Sequence, residues 1–227
     1  MSRNLIVGAG FSGACIARLI AEKLNEDVVV IDVKDHIAGN SYDFVDENGI
    51  TIHKYGSHIF HTDNSKVWNF VTRFSNFNSY AHKVHALIDN KYPTIPFNFN
   101  TMDMLFSPEI SQKYQKKLLE KFEPNKKIPI SDFCALNDDD LNTLADYVYQ
   151  KVYLGYSSKQ WGVDPKTLDK SVTARVPVFL SRDNRYFQDK YQGIPLNGYS
   201  GIIKNMLNHK NIKLRLNTDF KKLNENS

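Results

Sequence analysis

The stretch Asn4-Leu5-Ile6-Val7-Gly8-Ala9-Gly10-Phe11-Ser12-Gly13, with Val28-Val29-Val30-Ile31-Asp32 behind it, decides the fold. Asn4 to Val7 reads as a buried strand. Phe11 to Leu24 reads as a helix, with Ile16, Leu19, Ile20 and Leu24 near helical spacing. Val28 to Asp32 reads as a second strand, and its unbroken β-branched run is that of a strand covered on both faces. The three make a βαβ unit. Gly8-x-Gly10-x-x-Gly13 falls in its first turn, and Asp32 stands 19 positions after Gly13. That context turns a weak string into a dinucleotide fingerprint. Gly8 permits the tight turn, Gly10 lets the backbone approach a pyrophosphate, and Gly13 lets helix and strand pack closely. The pyrophosphate would rest on free N–H groups at the helix start, beside Phe11 and Ser12, and Asp32 would accept from a ribose.

NAD and FAD share this pattern. Lys34-Asp35-His36-Ile37-Ala38-Gly39-Asn40-Ser41 brings small residues shortly after the acid, which favours FAD and adds Gly39 and Asn40 to the candidate cofactor residues. Flavoproteins of the glutathione-reductase and amine-oxidase type resemble the chain here, though their usual Gly-Gly is Ala38-Gly39 in this sequence.

The chain has 227 residues, 41% hydrophobic, 12% aromatic and 24% charged, which fits an ordered protein with a sizeable core. Lys+Arg 29 less Asp+Glu 25 leaves +4, a balance that suits an anionic small molecule and does not argue for nucleic acid. The two cysteines, Cys15 and Cys134, have no histidines at metal spacing, so neither a disulfide framework nor a metal site is expected. No apolar run reaches the roughly 18 residues of a membrane span. Arg3-Asn4 leads straight into the first strand without a cleavage pattern, so a cytoplasmic location is expected.

Further along, Asp46-Glu47-Asn48-Gly49 is a hairpin turn, and Val84–Ile88 and Tyr92–Ile95 flank a second one at Asp89-Asn90-Lys91. Phe97–Asn100 reads as a linker with Thr101 as a helix cap. Ile110, Tyr114, Leu118 and Phe122 recur every four residues among lysines, a helix with a solvated face. Asn137 before Asp138-Asp139-Asp140 starts another helix, whose apolar positions are Leu141, Leu144, Val148 and Val152. Asn197-Gly198-Tyr199-Ser200-Gly201 opens a helix over about 202–208, and Ile212–Leu216 alternates as a strand.

These residues resemble one family, bacterial UDP-galactopyranose mutase. The strings are VGAGFSGA (Val7–Ala14), DHIAGNSY (Asp35–Tyr42), IHKYGSHIFHT (Ile52–Thr62), PFNFNT (Pro96–Thr101), GYSSKQWG (Gly155–Gly162), RVP (Arg175–Pro177) and NRYFQDKYQGIPLNGYSGII (Asn184–Ile203). The first two fit many flavoproteins, whereas HKYGSHIFHT and KQWG are far more specific. The likeness runs over nearly the whole chain, which is roughly three-fifths of the family's usual length.

The resemblance implies an isomerase that interconverts UDP-galactopyranose and UDP-galactofuranose, contracting the ring through an adduct at N5 of reduced FAD, for cell-surface polysaccharide. It implies an α/β FAD-binding Rossmann-like domain over 1–99, a mostly helical insertion over 100–165 lining the substrate cleft, and a mobile loop with returning sheet and helix over 166–227. Part of an antiparallel sheet is expected, and the family's C-terminal part is missing. Among site residues, the resemblance implies Tyr156 as the uracil platform with Ser157 and Gln160 nearby, Trp161 as a wall of the sugar pocket, and Arg175 as the clamp on the UDP pyrophosphate. Tyr186 is implied at the phosphates and His82 near the substrate, where the family usually has Asn. His58 and His61 lie in the string that lines the flavin, and Arg175, Trp161 and His58 are the implied catalytic residues. A homodimer is implied, with no nucleic-acid or membrane partner. The incomplete length leaves two alternatives beside an impaired mutase: an FAD-dependent oxidoreductase of the same fold, or an inactive remnant or binding module.

Overall fold

The computed structural model describes residues 3–155, 159, 162–163 and 176–223. In chain order the strands are β1 (Arg3–Val7), β2 (Asp27–Ile31), β3 (Asp43–Val45), β4 (Thr51–His53), β5 (Phe60–Thr62), β6 (Val84–His85), β7 (Thr94–Ile95), β8 (Lys127–Ile128), β9 (Val178–Phe179), β10 (Tyr191–Gly193) and β11 (Ile212–Arg215). The helices are α1 (Phe11–Leu19), α2 (Ser65–Val71), α3 (Phe99–Leu105), α4 (Pro108–Lys121), α5 (Ile130–Phe133), α6 (Asp139–Val148), α7 (Gly198–Leu207) and α8 (Phe220–Leu223). They form two compact units, residues 1–80 with 189–227, and residues 81–188.

The first unit is a Rossmann-like layer. β1 and β11 flank β2, all parallel, in register Val7↔Ile31↔Arg215. α1 and α7 pack on one sheet face, where Ile6, Val28, Val30 and Ile212 join Ala14, Ala17, Ile202, Ile203 and Met206 in one core. The expected helix is present, but of its apolar stripe only Ile20 packs against the core. Ile16, Leu19 and Leu24 are 51%, 41% and 61% exposed, while Gly13, Ala14 and Ala17 face inward. The helix lies so close to the strands that only small side chains fit between them. The helix runs on as a π turn over Ile20–Leu24, and Asn25, in the left-handed region at φ 53, ends it.

Glu22 on that turn accepts from Arg18 Nε at 2.6 Å and from Arg73 Nη2 at 2.5 and 2.8 Å, tying the helix to the end of α2. Arg73 above all holds the Glu22 carboxyl at about 2, below the usual carboxylate range. Stabilisation from a lowered carboxyl is complete above its unfolded pKa and disappears as pH falls through its folded one. Glu22→Gln is therefore expected to cost about 1 kcal/mol at pH 7, since the arginines are partly solvated. Urea midpoints of wild type and variant should converge as the pH drops from about 4.5 towards 2.

The hairpins are where the turn residues put them. β3 pairs antiparallel with β4 around Asp46–Gly49, and β6 with β7 around Asp89 and Asn90, both at positive φ. In the second unit α3, α4, α5 and α6 enclose Phe97, Met102, Leu118, Phe133, Leu141, Leu144, Val148 and Leu180. Lys117 of α4 pairs with Asp138 and Asp140 at 2.9 and 2.6 Å, and Lys113 with Asp140 at 2.7 Å, so part of its lysine face binds the start of α6.

Two expected caps move. Asn98, not Thr101, caps α3: its Oδ1 accepts from the Thr101 N–H at 2.9 Å. The supposed linker around it is core, with Phe97 at 1% and Asn98 at 0% exposure. Asp138, not Asn137, caps α6, accepting from the Leu141 N–H at 3.1 Å. In each case the side chain that reaches the third helical N–H wins. Among the described residues, no helix is long and apolar enough to cross a membrane.

Candidate functional site

The fingerprint residues converge at the C-terminal ends of β1 and β2, where open α/β sheets bind ligands. Gly8 turns at φ +107, and its N–H donates to Ile31 O at 2.7 Å. Asp32, only 8% exposed, accepts from the Ala9 N–H at 2.7 Å on one oxygen and from the Lys34 N–H at 2.9 Å on the other. Each carboxylate oxygen keeps a lone pair for a further donor. The Ala38 N–H donates to Ala9 O at 2.8 Å, which lays the second small-residue segment against the first turn.

Gly10 and Gly39 meet there. A Cβ on Gly39 would stand 3.4 Å from the Gly10 Cα, and one on Gly10 would stand 3.8 Å from the Gly39 Cα. No side chain caps α1, whose start lies at this spot. Two bare backbones beside an uncapped helix start fit the diphosphate of a dinucleotide, which needs N–H donors and close approach. Ala38 carries its methyl at φ 72, in the left-handed region, and buries it to 1% exposure in the core. Asn40 accepts from Lys34 Nζ at 3.4 Å, and Ser12 is exposed on the first turn of α1.

Phe11 and His58 are linked through a residue the sequence reading passed over. Tyr199, 3% exposed, sets its ring edge-on to Phe11 at 6.0 Å, His53 at 5.7 Å and His58 at 6.1 Å. Burial pushes its hydroxyl well above the ordinary phenol range. His58 Nδ1 lies 2.8 Å from Gly56 O, so the neutral ring carries its proton there and leaves Nε2 as an acceptor. The His58 N–H donates to His53 Nδ1 at 3.1 Å. His61 sits apart on β5, with Nδ1 3.0 Å from Asp189 Oδ2 ahead of β10. Among the described residues no cluster of His, Cys, Asp and Glu could hold a metal ion. Cys15 is half-buried with its thiol pushed up by burial, a poor nucleophile.

Asp43 was also missed. Its carboxylate accepts from the Tyr199 N–H at 2.6 Å and the Ser200 N–H at 2.8 Å, so a strand residue caps α7 from 156 positions away. The turn-like Asn197-Gly198 marked the helix start, but nothing local identifies the distant carboxylate.

His82 and Tyr186 lie together in the second unit. The Tyr186 N–H donates to His82 O at 2.7 Å, and the rings meet edge-on at 5.9 Å, with Phe187 stacked on His82 at 6.3 Å. Asn184 Oδ1 holds the preceding segment, accepting from Thr94, Asn98 and Asn100 at 3.0–3.1 Å. Tyr156, Ser157, Gln160, Trp161 and Arg175 lie outside the described residues.

Fold and fingerprint thus define a dinucleotide-binding Rossmann-like protein. Residues 6–74 match the family model of the NAD(P)-binding Rossmann-like domain, and residues 151–227 that of UDP-galactopyranose mutase. Over 217 residues the chain is 40% identical to a dTDP-fucopyranose mutase of Escherichia coli, covering 95% of this chain and 56% of that protein. It is 34% identical to the UDP-galactopyranose mutase of Mycoplasma pneumoniae, covering 94% and 54%. A crystal structure of reduced UDP-galactopyranose mutase superimposes with a TM-score of 0.61 at 16% identity, over 95% of this chain and 48% of that one. An oxidoreductase from Methanosarcina mazei, at TM-score 0.53 and 16% identity, shares the fold. The chain matches the N-terminal portion of UDP-galactopyranose mutases and spans about half the length of the curated relatives it matches.

Proposed function

We propose that this chain is the FAD-binding portion of a nucleotide-sugar mutase that interconverts UDP-galactopyranose and UDP-galactofuranose. The observation that carries the reading is the Gly10–Gly39 approach beside the uncapped start of α1, with Asp32 at the end of β2. Gly8, Gly10 and Gly39 leave room for the diphosphate, Gly13 lets α1 pack close enough on β1 to present its first N–H groups near Phe11 and Ser12 to it, and Asp32 accepts from a ribose. Asn40 stands beside the Gly39 backbone, and His58 and His61 line the flavin. Reduced flavin, when bound, supplies the electron pair for attack on the anomeric carbon.

On the substrate side, Tyr156 stacks on the base, and Ser157 and Gln160 offer hydrogen bonds next to it. Trp161 walls the sugar and keeps water from it. The Arg175 fork bridges diphosphate oxygens, as a planar guanidinium suits. Tyr186 donates its hydroxyl to the phosphates and His82 borders the same site. The helical stretch over 100–165 lines the substrate cleft. A cytoplasmic location, a homodimer and a role in cell-surface polysaccharide biosynthesis go with this reading.

The relative that is 40% identical carries the name dTDP-fucopyranose mutase, which favours a second reading with dTDP-fucopyranose as substrate. Visible absorbance of the purified chain titrated with FAD tests the cofactor first. Saturable flavin is expected for wild type. The reduced protein is then assayed with UDP-galactofuranose and dTDP-fucofuranose side by side, and faster turnover identifies the substrate. Trp161→Ala is expected to lower turnover at least about tenfold while leaving flavin bound. A chain that takes up no FAD while folded sinks the reading.

A further inference from the structure

Between β9 and β10 the chain forms no helix or strand over residues 181–188, yet side chains pin it in place. Asn184 is the centre of that pinning. Its Oδ1 accepts from Thr94 Oγ1 at 3.0 Å, Asn98 Nδ2 at 3.1 Å and Asn100 Nδ2 at 3.0 Å. An amide oxygen has two lone pairs, so these donors saturate it. They come from β7, from the cap of α3 and from its first turn, all within the second unit. Thr94 is 8% and Asn98 0% exposed, so neither can turn to bulk water instead. Asn98 Nδ2 also reaches Asp183 O at 3.1 Å, and Asp183 closes the turn by pairing with Arg185 Nη2 at 2.6 Å. Two residues beyond Asn184, the Tyr186 N–H donates to His82 O at 2.7 Å, and the two rings meet edge-on at 5.9 Å. A connecting segment is ordinarily the part of a fold left free to vary, and this one is tied at every step.

We infer that Asn184 is a positioning residue for the substrate diphosphate. It acts through Tyr186: it fixes the turn that presents the Tyr186 hydroxyl, beside His82, to the phosphate oxygens. The inference rests on the proposed nucleotide-sugar site and adds the group that sets its geometry. A binding group has to be held within about 0.5 Å of its productive place, and irregular backbone gives that accuracy only when neighbouring side chains lock it. All three bonds use the carbonyl oxygen, so acceptance alone is asked of Asn184. Aspartate keeps that acceptor and alanine does not.

The test is binding of UDP to the full 227-residue chain by calorimetry, with thermal unfolding by circular dichroism alongside. Asn184→Ala is expected to raise the Kd for UDP about tenfold, and Asn184→Asp to bring it back within about twofold of wild type. Thr94→Val removes one donor from β7 with a side chain of the same shape, and Asn184 keeps the other two, so nothing buried is stranded. It is expected to raise the Kd about threefold with the unfolding midpoint nearly unchanged, and it carries the test should Asn184→Ala lose its fold. Because Asn184 acts through Tyr186, Asn184→Ala combined with Tyr186→Phe is expected to bind UDP no more weakly than Tyr186→Phe alone. Additive losses overturn the inference. So does wild-type affinity in Thr94→Val or in a folded Asn184→Ala, and so does an Asn184→Asp variant as weak as Asn184→Ala. A wild type that binds no UDP fails the proposed site and the inference with it, whereas UDP binding unaffected by these substitutions fails the inference alone.

Discussion

Gly13→Ala is expected to unfold the first unit, with a loss of about 3–5 kcal/mol. A Cβ at this position would stand 1.9 Å from Gly8 O, 3.1 Å from Gly8 C and 3.2 Å from Ile6 Cγ2. Two of those atoms are backbone in the tight turn, and they cannot rotate away as a flexible side chain would. The turn itself is held by the Gly8 N–H on Ile31 O and the Ala9 N–H on Asp32, so relieving the clash means parting α1 from both strands. Urea unfolding followed by circular dichroism reads the loss. Gly10→Ala is the matched control, because its nearest neighbour would be the Gly39 Cα at 3.8 Å, an ordinary contact. It should leave the unfolding midpoint nearly unchanged and weaken FAD binding at least about tenfold, since the methyl fills the space for the diphosphate. Equal FAD affinity in wild type and Gly10→Ala would place the cofactor elsewhere. Equal stability in wild type and Gly13→Ala would mean that helix and strand do not approach as described.

The second large effect is expected at Asp43. Replacing it with Ala removes both acceptors at the start of α7 and leaves the buried Tyr199 N–H without a partner. Hydrogen bonds to a charged group contribute more than neutral ones, and a stranded buried donor adds a desolvation cost, so about 2–4 kcal/mol is expected. α7 carries Ile202, Ile203 and Met206 into the core, and Tyr199 at its first turn carries the contacts to Phe11 and His58. Loosening it should therefore also disturb the ring contacts of Phe11 and His58, the proposed flavin side of the site. Asp43→Asn keeps one side-chain acceptor and should recover about half of the loss. Thermal unfolding of the three proteins side by side checks the order. A result in which Asn and Ala behave alike would show that the charge at the helix start carries the effect, not the acceptor geometry.

Some of this was legible because its causes are local. The glycine spacing, the β-branched run of β2 and the acid at Asp32 each act within one turn or one strand, and the hairpins at Asp46–Gly49 and Asp89–Lys91 follow from residues that tolerate positive φ. The two caps slipped because several candidates stand side by side, and only the folded geometry says which side chain reaches the free N–H. The stripe on α1 misled because the helix buries its glycine and alanines; how near two elements lie is set by both of them, not by the periodicity of one. Tyr199 and Asp43 gave no local signal at all, since each acts on residues more than a hundred positions away.

What the sequence determined by itself is thus the βαβ unit, its fingerprint and its resemblance to a nucleotide-sugar mutase, all of which depend on residue type at fixed short intervals. Only the tertiary structure decided that Gly10 faces Gly39 and that Asp43 caps α7. Those are long-range pairings, and long-range pairings are chosen by the packing of the whole unit rather than by any one segment.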